Sequence, residues 1–220
     1  DNSNDADHIV ELGFAETTTA QTLSGTVALS SSGVNAIKVS SGTADPDDYE
    51  NEQIFSGVVS GSPTTLEKKG VGRLNLTGDN TFTGNVNIDD GVLVAGHNNA
   101  LGTGAKTVTI NKGKLEVASG ASIPNSVTIQ GGSSRNFIGG DGTVDTVVIG
   151  SDTNEVDVVS PGQGISSSLN RPNQQAPRGN GNDDDTSVGS FTATNLSLVN
   201  GGVYDWEMKD FDGTTPGTDW

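Results

Sequence analysis

The chain has 220 residues, only 31% of them apolar, and it is acidic, with 28 Asp and Glu against 11 Lys and Arg for a net charge of −17. That balance excludes the basic patches that nucleic acid and anionic membrane surfaces select, and no apolar run is long enough to insert this segment into a bilayer. With no cysteine there are no disulfide staples, thiolate metal sites or Cys nucleophiles.

So thin an apolar content is low for a compact α/β enzyme but enough for a solenoid, whose single narrow core needs few apolar residues per coil. The chain opens at Asp1 with no Met or signal pattern, and it is read as a mature or excised segment. It ends on GTTPGTDW at Trp220, where a further strand is expected to follow.

Residues 1–19 are polar apart from a burst at Ile9, Val10, Leu12 and Phe14, which reads as a frayed first strand or as one that pairs with a neighbouring molecule's open coil. Leu23 to Leu29 and Val34 to Val39 alternate as strands do. Ala44 to Gln53, ADPDDYENEQ, reads as a charged loop projecting from the solenoid, so residues 1–65 are expected to form N-terminal coils carrying an acidic loop at 44–53.

Leu66 to Gly104 organises the chain. Leu74/Leu76, Val86/Ile88 and Val92/Val94 are pairs two apart, each pair sharing one face of a strand and each closed by Gly, Asn or Asp. The series runs on through Val108/Ile110, Leu115/Val117, Val127/Ile129 and Val147/Ile149. The steps Leu74 to Val92, Val86 to Val108, Val92 to Leu115 and Val108 to Val127 are 18, 22, 23 and 19 residues. A return every 20 residues or so is the mark of stacked coils, and no stretch carries a helical apolar stripe.

These same residues resemble the autotransporter-associated β-strand repeat, also called the passenger-associated transport repeat. Lys69, Gly70 and Gly72 match its lead; Leu74, Leu76 and Gly78 its first strand; Asn80, Thr81, Phe82, Thr83 and Gly84 its turn. Gly91, Leu93 and Val94 match the second strand, and Ala100, Leu101, Gly102 and Gly104 the closing segment. Phe55 to Gly61 resembles the stretch that leads into such repeats. The resemblance implies a right-handed parallel β-helix displayed outside a bacterium, with a part in secretion, and it implies no particular activity.

Residues 66–160 are accordingly expected to be the core β-helix. Asn111, Gly113, Gly120, Gly131, Gly132, Gly139 and Gly140 supply corners, and Val156, Val158 and Val159 a further strand. Ser160-Pro-Gly162 resembles a turn of the same family, and Val188 to Phe191 the strand that follows it. Between them residues 161–187 form a polar insertion, and a Pro-, Gly- and Asp-rich loop as long as Gly164 to Ser187 reads as flexible. Residues 188–220 read as a C-terminal coil or cap, with Leu196/Leu198 inward and Tyr204, Trp206, Phe211 and Trp220 clustered at the end.

Lyases and hydrolases occur on this fold, so an enzyme is weighed. The outward positions Asn75, Thr77, Asn87, Thr109 and Thr128 carry no converging carboxylates. Asp89 and Asp90 before Gly91 read as turn chemistry rather than as an acid pair. Arg73, Arg135, Arg171 and Arg178 are scattered, and His8 and His97 are too few for a triad or a zinc site, His97 reading as an exposed corner residue. Asp183, Asp184 and Asp185 offer oxygen ligands for Ca²⁺ but lack EF-hand spacing, and a solvated acidic loop is the competing reading. No catalytic, cofactor or metal residue is therefore assigned.

The expected fold is an all-β, right-handed parallel β-helix of seven to nine coils, a rod of roughly 35–45 Å. The expected function is structural: a non-catalytic, extracellular, adhesive segment of a bacterial surface or autotransporter-type protein. A fibre subunit joined end to end through its N- and C-terminal coils is one alternative, and a β-helix polysaccharide lyase or hydrolase the other. Other copies of the chain and surface glycans are the expected partners.

Overall fold

A computed structural model describes residues 8–12, 20–40, 52–104, 106–130, 136–150, 158–161, 191–198 and 203–204. All secondary structure among them is β, in strands of two to eight residues. One sheet runs, in spatial order, β1 (His8–Leu12), β4 (Val34–Val39), β7 (Thr65–Lys69), β9 (Asn85–Ile88), β11 (Thr107–Ile110), β13 (Ser122–Ile129), β15 (Thr143–Ile149) and β17 (Thr192–Leu198). The second runs β2 (Gln21–Leu23), β5 (Glu52–Phe55), β8 (Arg73–Leu76), β10 (Val92–Ala95), β12 (Lys114–Val117), β14 (Phe137–Gly140), β16 (Val158–Pro161) and β18 (Val203–Tyr204). A short third face pairs β3 (Val27–Ala28) with β6 (Val59–Ser60). We call the first two sheet A and sheet B.

Every pairing is parallel and joins a strand to its equivalent in the next coil, so the chain is a parallel β-helix. Parallel crossovers of this kind take the right-handed path because of strand twist. Eight strands stacked about 4.8 Å apart make a rod of about 34 Å. Beyond the short third sheet, that face continues through single backbone bonds, Thr81 N–H to Val59 O (2.9 Å) and Thr103 N–H to Phe82 O (3.0 Å).

The register displays the core as columns. In sheet A, Leu66, Val86, Val108, Val127 and Val147 align, and beside them Ile88, Ile110, Ile129 and Ile149, all buried. In sheet B the column is Leu74, Leu93, Leu115, Ile138 and Val159, flanked by Phe55, Leu76, Ala95 and Val117. From Leu66 the sheet A column advances by 20, 22, 19 and 20 residues per coil. It then advances 49 from Val147 to Leu196, so the whole insertion adds no step to sheet A.

Several expectations are corrected. The inward pair of β10 is Leu93 and Ala95, not Val92 and Val94, because Leu93 aligns with Leu74. All four residues of β10 are buried, so alternation had no polar residue to reveal the face. The Leu23 to Leu29 stretch is two strands with a corner between them. Glu52 and Gln53 belong to β5 rather than to a loop, anchored by the Arg73–Glu52 ion pair and by Gln53 donating to Gln21 O. Gly139 and Gly140 lie within β14, and Ser160 and Pro161 close β16 instead of forming a turn.

The first burst of apolar residues is β1, paired in parallel with β4 of the same chain and with Ile9 exposed on its outer side. Phe14, residues 44–51 of the expected acidic loop, the expected corners Gly131 and Gly132, Val156, residues 162–187 of the expected insertion and the aromatics Trp206, Phe211 and Trp220 lie outside the described residues.

Candidate functional site

The interior carries polar groups that tie coil to coil. Asn80 is fully buried in the turn after β8. Its Oδ1 accepts from Val59 N–H of the preceding coil (2.7 Å), and its Nδ2 donates to Ala100 O of the next (2.6 Å). One side chain thereby pairs two backbone groups that a solenoid corner would otherwise leave unpaired. Phe82, also fully buried, lies beneath the Lys106 ammonium at 4.3 Å from its ring centre, and Lys106 donates to Phe82 O and to Leu101 O. Burial pulls Lys106 down to about 8.

Lys68 stands inside the sheet A column between Ile37 and Ile88, 1% exposed. Its Nζ donates to the carbonyls of Lys69 (3.0 Å), Gly70 (2.6 Å) and Asp90 (3.0 Å), so all three ammonium protons are used and two coils are joined. Burial pulls it down to about 7, against the opposing pull of the Asp90 charge. At the same corner Gly91 has φ +68° and packs on the carbonyls of Gly70 to Gly72, where a Cβ has no room.

The two outer faces differ. On sheet B, Arg73 reaches across β10 to grip Glu116 with two bonds (3.0 and 2.6 Å), over the outward Val92 and Val94. Glu52 (3.4 Å to Arg73) and Lys114 (3.2 Å to Glu116) complete a row of alternating charge. Burial alone would raise the Glu116 carboxyl, but Arg73 and Lys114 outweigh it and hold it below the usual range.

On sheet A the outward columns from β9 to β17 are Asn85, Thr107, Ser126, Thr146 and Asn195, and Asn87, Thr109, Thr128, Val148 and Ser197; on β7 the second column begins at Glu67, which pairs with Lys69 (2.7 Å). Among the described residues the side chains of Asn87, Thr107, Thr109, Ser126 and Thr128 have no hydrogen-bond partner.

The weighed candidates fall as follows. Asp90 Oδ1 accepts from Gly91 N–H (3.1 Å), which is turn chemistry, while Asp89 pairs with Lys69 (3.2 Å) and Asn111 (2.8 Å). His97 sits at a corner and accepts from Asn99 N–H (3.1 Å). Asp183, Asp184 and Asp185 lie outside the described residues; among those described, no group of three His, Cys, Asp or Glu is placed to hold a metal ion. Nor, among them, is any helix long and apolar enough to cross a membrane.

Sequence reasoning missed Lys68, Lys106 and the Arg73–Glu116 bridge. The parity of Lys68 with Leu66, and its place twenty residues before Ile88, were the available signal for the first.

Residues 66–95 match the family model of the passenger-associated transport repeat. The chain carries this repeat. It holds Lys68, Asn80, Phe82 and Gly91, so the buried ties between coils are built largely from the repeat's own residues. The chain is also 34% identical, over 128 residues, to the adhesin BmaC autotransporter of Brucella suis biovar 1 (strain 1330). That similarity covers 58% of this chain and 3% of the relative's length. No solved structure matches the chain.

Proposed function

We propose that this chain is a non-catalytic, surface-displayed segment of an autotransporter-type adhesin, and that its transport repeat aids export by folding outside the cell as each coil docks on the one before. The observation that carries this reading is Asn80. Its two bonds exist only when the coil before and the coil after are both in place, so closing the repeat favours adding the next coil. Nearest-neighbour stacking lets such a gain propagate along the rod.

The name of the Brucella relative supports the adhesive part and the outer-surface location. The pairing of Arg73, Lys114, Glu52 and Glu116 with one another supports a non-enzymatic role, because these outward charges neutralise each other instead of converging on an open groove.

The test places the chain between a signal peptide and a β-barrel translocator and measures its protease accessibility on intact bacteria. Display of the wild type, with surface exposure falling in Asn80→Ala and Gly91→Val, is expected. Equal display of all three would overturn the export role. Attachment of displaying bacteria to host cells and abiotic surfaces, above that of bacteria carrying the barrel alone, tests adhesion.

A second reading, end-to-end assembly, is favoured by one observation. Leu196 and Leu198 continue the core columns but are 42% and 48% exposed, and at the opposite end Leu23 is 40% exposed. Rods that lengthen with concentration in electron micrographs, and shorten in Leu196→Asp/Leu198→Asp, are its expected signature. A monodisperse monomer at high concentration contradicts it.

A further inference from the structure

We propose that the outer face of β9 to β17 in sheet A is a binding strip for an extended, neutral, β-linked polysaccharide lying along the rod. The proposal rests on the adhesive reading above and names the ligand class and the face.

Two outward columns run across these five successive strands, and of their ten positions nine carry a neutral Asn, Thr or Ser and the tenth is Val148. None of these ten is charged, in a chain with 28 acidic and 11 basic residues, and the one carboxylate beside them on β15, the exposed Asp145, accepts from Thr146 Oγ1 (3.2 Å). Stacking does not impose this neutrality. On sheet B the outer face of the same solenoid carries Arg73, Lys114, Glu116 and Glu52, arranged so that opposite charges meet.

The strip is half-exposed or exposed throughout, and short side chains keep its relief low, so a linear polymer can lie flat on it. The unpartnered hydroxyls and amides of Asn87, Thr107, Thr109, Ser126 and Thr128 supply both donors and acceptors. They recur at the strand spacing of about 4.8 Å, close to the length of one β-linked pyranose. Each contact is weak and exchanges with water, but repetition along one polymer multiplies them.

Charge selects among glycans. Uronate or sulfate chains meet a molecule of net charge −17 with no cation on the strip to receive them. A basic partner would find a single carboxylate beside it, Asp145, already bonded to the Thr146 hydroxyl. Neutral hydroxyl-rich chains fit both conditions.

The experiment uses the full 220-residue chain and affinity electrophoresis in gels containing linear β-1,4-glucan, β-1,4-mannan, polygalacturonate or heparin. Retardation by at least one of the neutral β-1,4 chains and by neither charged one is expected. Thr109→Val/Thr128→Val removes two hydroxyls at near-constant volume. Val148 already occupies the next place in that column, so the double variant is compatible with the fold. It should bind about tenfold more weakly, with an unchanged circular dichroism spectrum and urea midpoint, while Glu52→Gln on sheet B binds as wild type does.

No retention by either neutral polymer, or full retention of the double variant, overturns the strip. If displaying bacteria still attach to surfaces in that event, the adhesive reading stands without it. Loss of attachment alongside intact glycan binding overturns that reading and leaves the strip.

Discussion

Lys68 occupies a column whose other members, from Ile88 to Ile149, are isoleucine. It holds that place because three carbonyls meet its ammonium, which offsets part of the penalty of burial. Folded, it titrates at about 7; its ordinary value is 10.5. Between those values the unfolded chain binds the proton and the folded chain does not. Stability from this group therefore rises with pH across the window, by at most about 1.4 kcal/mol per unit, and is flat below it. Wild type should gain on Lys68→Met as pH is raised from about 7 to about 10, read from urea midpoints. A pH-independent difference would contradict the burial of the amine.

Asn80→Ala leaves Val59 N–H and Ala100 O unpaired in the interior, at about 1–3 kcal/mol each. Urea unfolding should show a loss of about 2–6 kcal/mol, and a loss under about 0.5 kcal/mol would place water at that corner. Asn80 and Phe82 stood out in the sequence as repeat positions. Their work was not legible, because a turn residue's partners lie about twenty residues away in both directions, and only the register says which. Lys68 was harder still, since a lysine between Glu67 and Lys69 reads as one more surface charge.

At the scale of elements, β10 shows where pattern reading fails. Its Val-Leu-Val-Ala run is apolar on both faces because the Arg73–Glu116 bridge crosses over it. Strands from β11 onward that alternate polar and apolar residues, such as Thr107–Ile110, were read with the right face inward. The bridge makes β8, β10 and β12 a unit. Arg73→Met should destabilise the chain by up to about 3 kcal/mol, the low end for breaking a buried pair, because Lys114 still faces Glu116. Adding Glu116→Gln should recover part of that loss, since the stranded carboxylate is then neutral.

The sign with pH is opposite to that of Lys68. The Glu116 carboxyl is held below its usual range, so its contribution is present above that range and is lost as pH falls through it. The acid limb of the stability profile should be shallower in Glu116→Gln than in wild type; identical limbs would mean that the pair is open in solution.

Across the whole molecule, fold class was the most legible feature. Aliphatic pairs returning every twenty residues or so have one economical burial, each coil lying on the last. The strands around the insertion were legible too, because Leu196/Leu198 repeat the inward spacing of Val147/Ile149. What twenty-residue spacing did not carry was the difference between the two outer faces, one charged and self-paired, the other, from β9 to β17, open and neutral apart from Asp145. Both faces read simply as polar until the strands are placed in register.

That register is open to one direct measurement. The chain has no cysteine, so spin labels can be placed at will. Glu67, Asn87, Thr109, Thr128, Val148 and Ser197 form one outward column of sheet A. Labels on Glu67→Cys with Val148→Cys are four strand steps apart, and on Glu67→Cys with Ser197→Cys five. Pulsed electron–electron double resonance should give backbone separations of about 19 Å and about 24 Å, the advance of 49 positions from Val148 to Ser197 adding a single step. Distances that do not grow by one strand spacing, or that scale with the number of residues between the labels, would contradict the parallel stacking on which the whole account depends.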